Sequence, residues 1–131
     1  MDIPWAVMTI WGEARGESFE GKVAVACVIR HRTERKYSSD GTIPGTVLRD
    51  RQFSCWNAND PNRIKMATLD DNDNVVEECL RAWRTSNNPD NDNVPGAVLY
   101  LNKSIVYPLP NWAKEENEIR TIGAHTFYRD D

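Results

Sequence analysis

A chain of 131 residues with a formal net charge of −4 is one domain's worth of protein, with room for a single core. The acidic balance argues against nucleic acid as the main partner, because phosphate binding needs a basic face, and Arg30, Arg32, Arg35 and Lys36 make only a local patch that a solvated helix end explains. No run approaches the ~18 apolar residues of a membrane span and no basic-then-apolar leader opens the chain, so neither membrane insertion nor a signal peptide is expected.

Ile3, Val7, Ile10, Trp11 and Ala14 recur at the spacing of one buried helix face, with Asp2 and Pro4 suited to its start and Gly16 to its stop. Glu13 then falls in the last turn, at the edge of the buried stripe. There the negative end of the helix and the Trp11 ring both disfavour a charged carboxylate, and a glutamic acid that keeps its proton near neutral pH can protonate a leaving group. The stretch Trp11 to Gly21 sets three carboxylates, Glu13, Glu17 and Glu20, among three glycines that let a large ligand approach the backbone. A solvated glutamate screened by Arg15 is the plainer reading of the same pattern.

Ser18 suits the cap of a second helix. Val23 to Ile29 is apolar at every position, which fits a buried helix or a central strand; Ala24, Ala26 and the charged continuation to Arg35 favour one core helix of about four turns. Lys36 to Gly45, containing Ser38-Ser39-Asp40-Gly41 and Pro44, reads as a loop, and Thr46-Val47-Leu48 starts a short helix carrying Arg49, Asp50 and Arg51. Phe53 to Trp56 and the polar run Asn57 to Asn62 follow. Exposed aromatic rings beside amides and hydroxyls suit a sugar site, the rings stacking on the sugar's apolar face while polar groups bond its hydroxyls. Phe53 fits the core better, and Trp56 fits core and cleft equally.

Val75, Val76, Cys79, Leu80 and Trp83 predict an amphipathic helix capped by Asp73 or Asn74 and ended near Asn87-Asn88-Pro89. The string Asp-Asn-Asp-Asn-Val occurs at 71–75 and at 90–94, but neither copy has the glycine or the closing glutamate of a calcium loop, so turn and cap chemistry is expected of both. Ala97 to Leu101 and Thr126 to Tyr128 read as strands of a small sheet. Between them Pro108 to Trp112 is an irregular loop and Ala113 to Glu118 a solvated acidic segment. The three cysteines, Cys27, Cys55 and Cys79, are an odd, widely spaced set that fits buried thiols rather than a disulfide framework.

Four pieces stand in order along the chain. Gly12-Glu13-Ala14-Arg15-Gly16-Glu17 leads through Glu20-Gly21-Lys22-Val23-Ala24-Val25-Ala26 to Arg32. Gln52-Phe53-Ser54-Cys55-Trp56 follows, then Gly96-Ala97-Val98-Leu99-Tyr100 with Asn102, then Thr121-Ile122-Gly123-Ala124-His125-Thr126-Phe127-Tyr128. Together they resemble the signature of the spore cortex-lytic type of cell-wall hydrolases over nearly the whole chain. The fold expected on these grounds is α+β and predominantly helical, one compact domain over residues 1–131 with a small β element, distantly lysozyme-like, its cleft lying between the helical core and the loops that carry Trp56 and His125.

The resemblance also implies a peptidoglycan lytic transglycosylase acting on the bond between N-acetylmuramic acid and N-acetylglucosamine. Glu13 would protonate the glycosidic oxygen and then take a proton from the sugar's own 6-hydroxyl, which closes an anhydro ring without water. Substrate-binding candidates are Glu17, Trp56, Tyr100, His125 and Tyr128, with His125 equally readable as a core or turn histidine. No metal or cofactor is called for, glycan strands are the expected partner, and a monomer is expected. Two departures stand out: His31 replaces the family's asparagine before Arg32, and the residues after Asn102 lack its proline, which implies a reshaped loop.

Rival readings follow from the same residues. A hydrolytic muramidase needs a second carboxylate, for which Glu17 and Glu20 are candidates, although pairing or capping beside Ser18 suits Glu17 better once Gly16 ends the helix. A cell-wall amidase would need zinc ligands such as His31, His125 and a cysteine, with Cys27 and His31 standing four residues apart, and a cysteine peptidase would pair Cys27 or Cys55 with His125. A wall-binding module would keep the cleft without chemistry. With no leader in evidence, the expected context is a phage endolysin made in the cytoplasm and released through the inner membrane to the wall.

Overall fold

The computed structural model describes residues 3–49, 52–70 and 72–131. Asp2 at the expected helix start, Asp50 and Arg51 in the expected third helix, and Asp71 in the first Asp-Asn-Asp-Asn-Val string therefore lie outside the described residues. Helix α1 (Trp5–Ala14) begins on Pro4, whose carbonyl accepts from the Met8 amide, and it buries Val7, Ile10 and Ala14 as their spacing requires. The chain turns at Gly16, and Ser18 caps helix α2 (Phe19–Arg35) by accepting from the Gly21 amide at 3.2 Å. Every residue from Val23 to Ile29 is buried, so α2 is the central helix, with α1 packed on it. Full burial of side chains such as Val25, Val28 and Ile29 contributes about 1.5–3 kcal/mol each, which overrides the small reluctance of β-branched residues to enter a helix.

Helix α3 (Ile43–Val47) begins before Thr46, inside the stretch that composition marks as loop. Pro44 sits in its first turn, where a missing N–H is no loss, and Thr42 caps it by accepting from the Gly45 amide at 3.0 Å. The helix stops at Leu48 instead of continuing through Arg49. The polar run after Trp56 also yields a helix, α4 (Pro61–Ala67), capped by Asp60 through the Asn62 amide. Met66 is its one buried side chain, too little apolar periodicity for the sequence to reveal it. Helix α5 (Asn74–Thr85) is capped by Asp73, which accepts from the Val75 and Val76 amides, and it packs against both α1 and α2.

Three antiparallel strands, β1 (Leu99–Leu101), β2 (Glu118–Ile122) and β3 (His125–Tyr128), form a sheet in the order β1-β3-β2. Strand β2 corrects the reading of residues 113–118 as wholly solvated: Glu118 opens a half-buried edge strand whose charged residues masked its alternation. The register sets Tyr100 opposite Phe127 and Ile122 opposite His125. Gly123, at φ +58°, turns β2 into β3 in a conformation glycine adopts readily. The second Asp-Asn-Asp-Asn-Val copy begins within a 3₁₀ turn (Pro89–Asn91) capped by Asn88, after which the Asp92 carboxylate accepts from the Val94 amide.

The basic patch at the end of α2 is not a solvated helix end throughout. Arg32 is only 3 % exposed, with Nε donating to the Val98 carbonyl at 2.6 Å. Arg30 lies over the Trp83 ring and donates to the Ser86 hydroxyl and the Trp83 carbonyl, clasping α2 to α5. These arginines join helices and sheet, and neither forms a free cationic face.

Candidate active site

Glu13 lies in the last turn of α1, beside Gly12, and Gly12 determines what can reach it. A Cβ at position 12 would stand 2.7 Å from Cys55 Cβ and 2.7 Å from Met66 Sδ, so glycine allows the 3₁₀ turn Ser54–Trp56 to press against the helix. Glycine in a helix interior costs about 1 kcal/mol against alanine. The gain is a set of donors on Glu13. The Cys55 amide donates to Oε2 at 3.1 Å and the Ser54 hydroxyl to the same oxygen at 3.2 Å. From the sheet, the Tyr100 hydroxyl donates to Oε1 at 2.7 Å. Burial and the adjacent Glu13 carboxylate hold the Tyr100 phenol well above its ordinary value, so it remains a donor. The surroundings expected of Glu13, a desolvating Trp11 ring at an unsatisfied helix end, give way to three convergent donors, and Trp11 instead carries the Arg15 guanidinium over its ring.

The carboxylate borders a cleft of about 540 Å³. Gly12, Ser54 and Asn62 line it from the helical part of the chain, Tyr100 and His125 from the sheet, and Arg32, Gln52 and Trp112 are also on the lining. Asn62 donates from Nδ2 to the Gly12 carbonyl at 3.4 Å, and Arg32 donates from Nη1 to Gln52 Oε1 at 3.1 Å. Among the described lining residues Glu13 is the only carboxylate.

The substrate-binding candidates fall into two groups. Tyr100 and His125 line the cleft, their rings edge to face with centroids 4.9 Å apart. Desolvation lowers the His125 pKa from its ordinary value, favouring the neutral ring; its Nδ1 is buried without a hydrogen-bond partner, 3.9 Å from Glu17 Oε1. Trp56, Tyr128 and Glu17 lie outside it. Trp56 turns back onto α1, where Nε1 donates to the Thr9 hydroxyl at 2.8 Å and the ring meets the edge of Trp5. Tyr128 is fully buried because strand alternation sends it to the face opposite His125 and Phe127, where it packs under Trp112. The Glu17 carboxylate accepts from the Ala124 amide at 3.0 Å, bracing the β2–β3 turn rather than facing a ligand.

Sequence reasoning missed Ser54, Asn62, Arg32 and Trp112 as cleft residues, and the Cys55 amide as a donor to Glu13. Three of these were within reach, because Arg32 closes the first motif and Ser54 and Cys55 belong to the second. Of the rival constellations, Cys27 and His31 do meet with Asp92 at a separate hollow, but both ring nitrogens of His31 are already engaged. His31 Nδ1 lies 2.6 Å from the Ala97 carbonyl oxygen and Nε2 lies 2.6 Å from Asp92 Oδ2. Burial raises all three thiols, those of Cys27 and Cys79 to about 12. Among the described residues no three His, Cys, Asp or Glu side chains are grouped to hold a metal ion, and no helix is long and apolar enough to cross a membrane.

The family model for cell wall hydrolases matches residues 16–128, beginning just beyond Glu13. A spore cortex-lytic enzyme of Oceanobacillus iheyensis is 30% identical over 126 residues, covering 96% of this chain and 41% of that protein. The spore cortex-lytic enzyme of Bacillus subtilis is 26% identical over 126 residues, 96% of this chain and 37% of its own length. The chain thus spans about two fifths of the length of these curated relatives. Among solved structures, the catalytic domain of the germination-specific lytic transglycosylase SleB from Bacillus anthracis superposes with a TM-score of 0.68 at 26% identity, over 95% of this chain and 90% of that one. The catalytic domain of the Bacillus cereus SleB protein gives 0.69 at 26% identity, over 95% and 86%.

Proposed function

The chain belongs to the cell wall hydrolase family, and from that premise we propose that it cleaves peptidoglycan between N-acetylmuramic acid and N-acetylglucosamine as a lytic transglycosylase, with Glu13 as acid and then base. The observation that carries this reading is the solitary carboxylate of the described cleft lining. A muramidase that adds water commonly uses two carboxylates across the scissile bond. Glu17, the nearer candidate for a second, holds the Ala124 amide, and Glu20 is exposed on α2.

One acid suffices if the substrate supplies its own nucleophile. Glu13 gives its proton to the glycosidic oxygen as the bond from that oxygen to the muramic C1 breaks. The 6-hydroxyl of the same muramic residue then bonds to C1 and returns its proton to the carboxylate. No water enters, and Glu13 ends as it began. A carboxylate offers about four lone-pair sites; Ser54 and the Cys55 amide occupy Oε2 and Tyr100 occupies one position on Oε1. The remaining position on Oε1 is left for the travelling proton. The three donors keep the carboxylate aimed while it passes that proton in both directions.

Glu13→Gln tests the assignment, because the amide keeps the shape but cannot cycle a proton. Turnover on purified peptidoglycan is expected to fall by roughly 10²–10⁴-fold with the fold intact by circular dichroism. A folded variant of undiminished activity would overturn it.

A further inference from the structure

Trp56 is excluded from the Glu13 cleft, yet it lines a cavity of its own, about 380 Å³, together with Leu48, Arg49, Asn57, Ala58 and Arg63. Two exposed guanidiniums, an indole and an amide thus converge on one hollow of a chain whose net charge is −4. Among the described residues neither Arg49 nor Arg63 has a carboxylate within ion-pairing distance. The Asp40 carboxylate is bonded to the Thr42 amide and hydroxyl, which with the more distant Arg49 charge hold it below its ordinary value. The indole is fixed on one side by its Thr9 bond and by the edge of Trp5. A rigid aromatic wall beside two planar cationic forks suits a carboxylate carried on a short apolar chain, which each fork can hold bidentately.

The hollow adjoins the active site through a single turn. Ser54 and Cys55 touch Glu13, and Trp56, the next residue of the same 3₁₀ turn, lines the second cavity. The cleft and the second hollow thus flank one ridge, the turn that carries both Ser54 and Trp56. Peptidoglycan carries short peptides ending in carboxylates on its muramic residues, and a muramic residue held at Glu13 would extend such a peptide from beside this ridge. We propose that the Arg49–Trp56–Arg63 pocket is a subsite for the carboxylate of that stem peptide. This rests on the cleavage reading for its substrate class.

The test compares the chain with an Arg49→Glu/Arg63→Glu variant on two substrates, glycan strands bearing their stem peptides and the same strands stripped of them. On peptide-bearing strands the variant is expected to show a KM raised about tenfold or more with kcat unchanged. On stripped strands the two proteins should be equal. Arg49→Lys/Arg63→Lys should recover part of the loss, because the charges return without the forks. In a second arm, calorimetry titrates a synthetic stem tetrapeptide with a free C-terminus, its C-terminal amide, and inorganic phosphate into the wild type and into Glu13→Gln. Binding of the acid to both proteins, with weaker binding of the amide and of phosphate, supports the subsite. Equal loss on both substrates, no difference between acid and amide, or phosphate binding as strong as the peptide overturns it. If the chain binds the acid but cuts no glycan, the cleavage reading fails and the subsite stands; if it cuts glycan but does not bind the acid, the reverse holds.

Discussion

Replacing Gly12 by alanine separates packing from catalysis. The added Cβ would lie 2.7 Å from Cys55 Cβ, 2.7 Å from Met66 Sδ and 2.9 Å from Cys55 Sγ, and both neighbours are at most 2 % exposed, so neither can swing into solvent. Overpacking of this kind costs about 1–3 kcal/mol. Alanine's better helix propensity returns about 1 kcal/mol, so the net loss is about 0–2 kcal/mol, a fall in Tm of up to about 10 °C. Turnover should suffer more. The Cys55 amide sits 3.1 Å from Glu13 Oε2, and a displacement of half an ångström or so takes that bond past hydrogen-bonding range. A hydrogen bond to a charged group contributes about 1.5–3 kcal/mol, which converts to a kcat loss of about 10–100-fold if it acts in the transition state. The assay is turnover on purified peptidoglycan beside a thermal melt, with Gly16→Ala as control, since a Cβ there meets nothing within 4 Å. Wild-type turnover in Gly12→Ala, or an equal kcat loss in Gly16→Ala, would refute the reasoning.

Tyr100→Phe removes the 2.7 Å bond to Glu13 while the ring keeps its place between His125 and Phe127, so kcat should drop by about 10–100-fold and Tm should fall by several degrees, read by steady-state kinetics and calorimetry. Iodoacetamide near pH 8 should leave the folded protein unmodified and fully active, because burial holds the thiols of Cys27 and Cys79 at about 12 and raises that of Cys55; mass spectrometry should find all three alkylated only after denaturation. His125 has a folded pKa lowered below its ordinary 6.5, so the unfolded chain binds the proton first as pH falls. Its contribution is therefore present above pH 6.5 and is lost as pH falls through the lowered folded value, and His125→Gln should flatten that part of the Tm profile; parallel profiles would contradict it.

The helical core was legible because its signals are dense and local. Ser18 and Asp73 cap where they were expected to, and the unbroken apolar run of α2 admits no solvent-facing side. Helix α4 and strand β2 were not legible, since each buries too little on one face for a period to emerge. Glu13 stood out through its motif, and Tyr100 came with it, but the reason they meet is long-range. Position 12 must lack a Cβ so that a turn forty residues away can approach, and no local pattern reports that contact. Trp56 shows the complementary error: an aromatic beside amides looks like a sugar platform, yet the Thr9 hydroxyl and Trp5 draw it to the other side of the same turn. Tyr128 alternates to the strand face opposite His125 and is fully buried there.

The most direct measurement is the mass of the products released from purified peptidoglycan. If Glu13 works alone and the muramic 6-hydroxyl closes the ring, the fragments end in anhydro-muramic acid, each lighter by one water than its hydrolytic counterpart, and Glu13→Gln releases none of them. Fragments with ordinary reducing ends, incorporating oxygen from labelled water, would contradict the single-acid account.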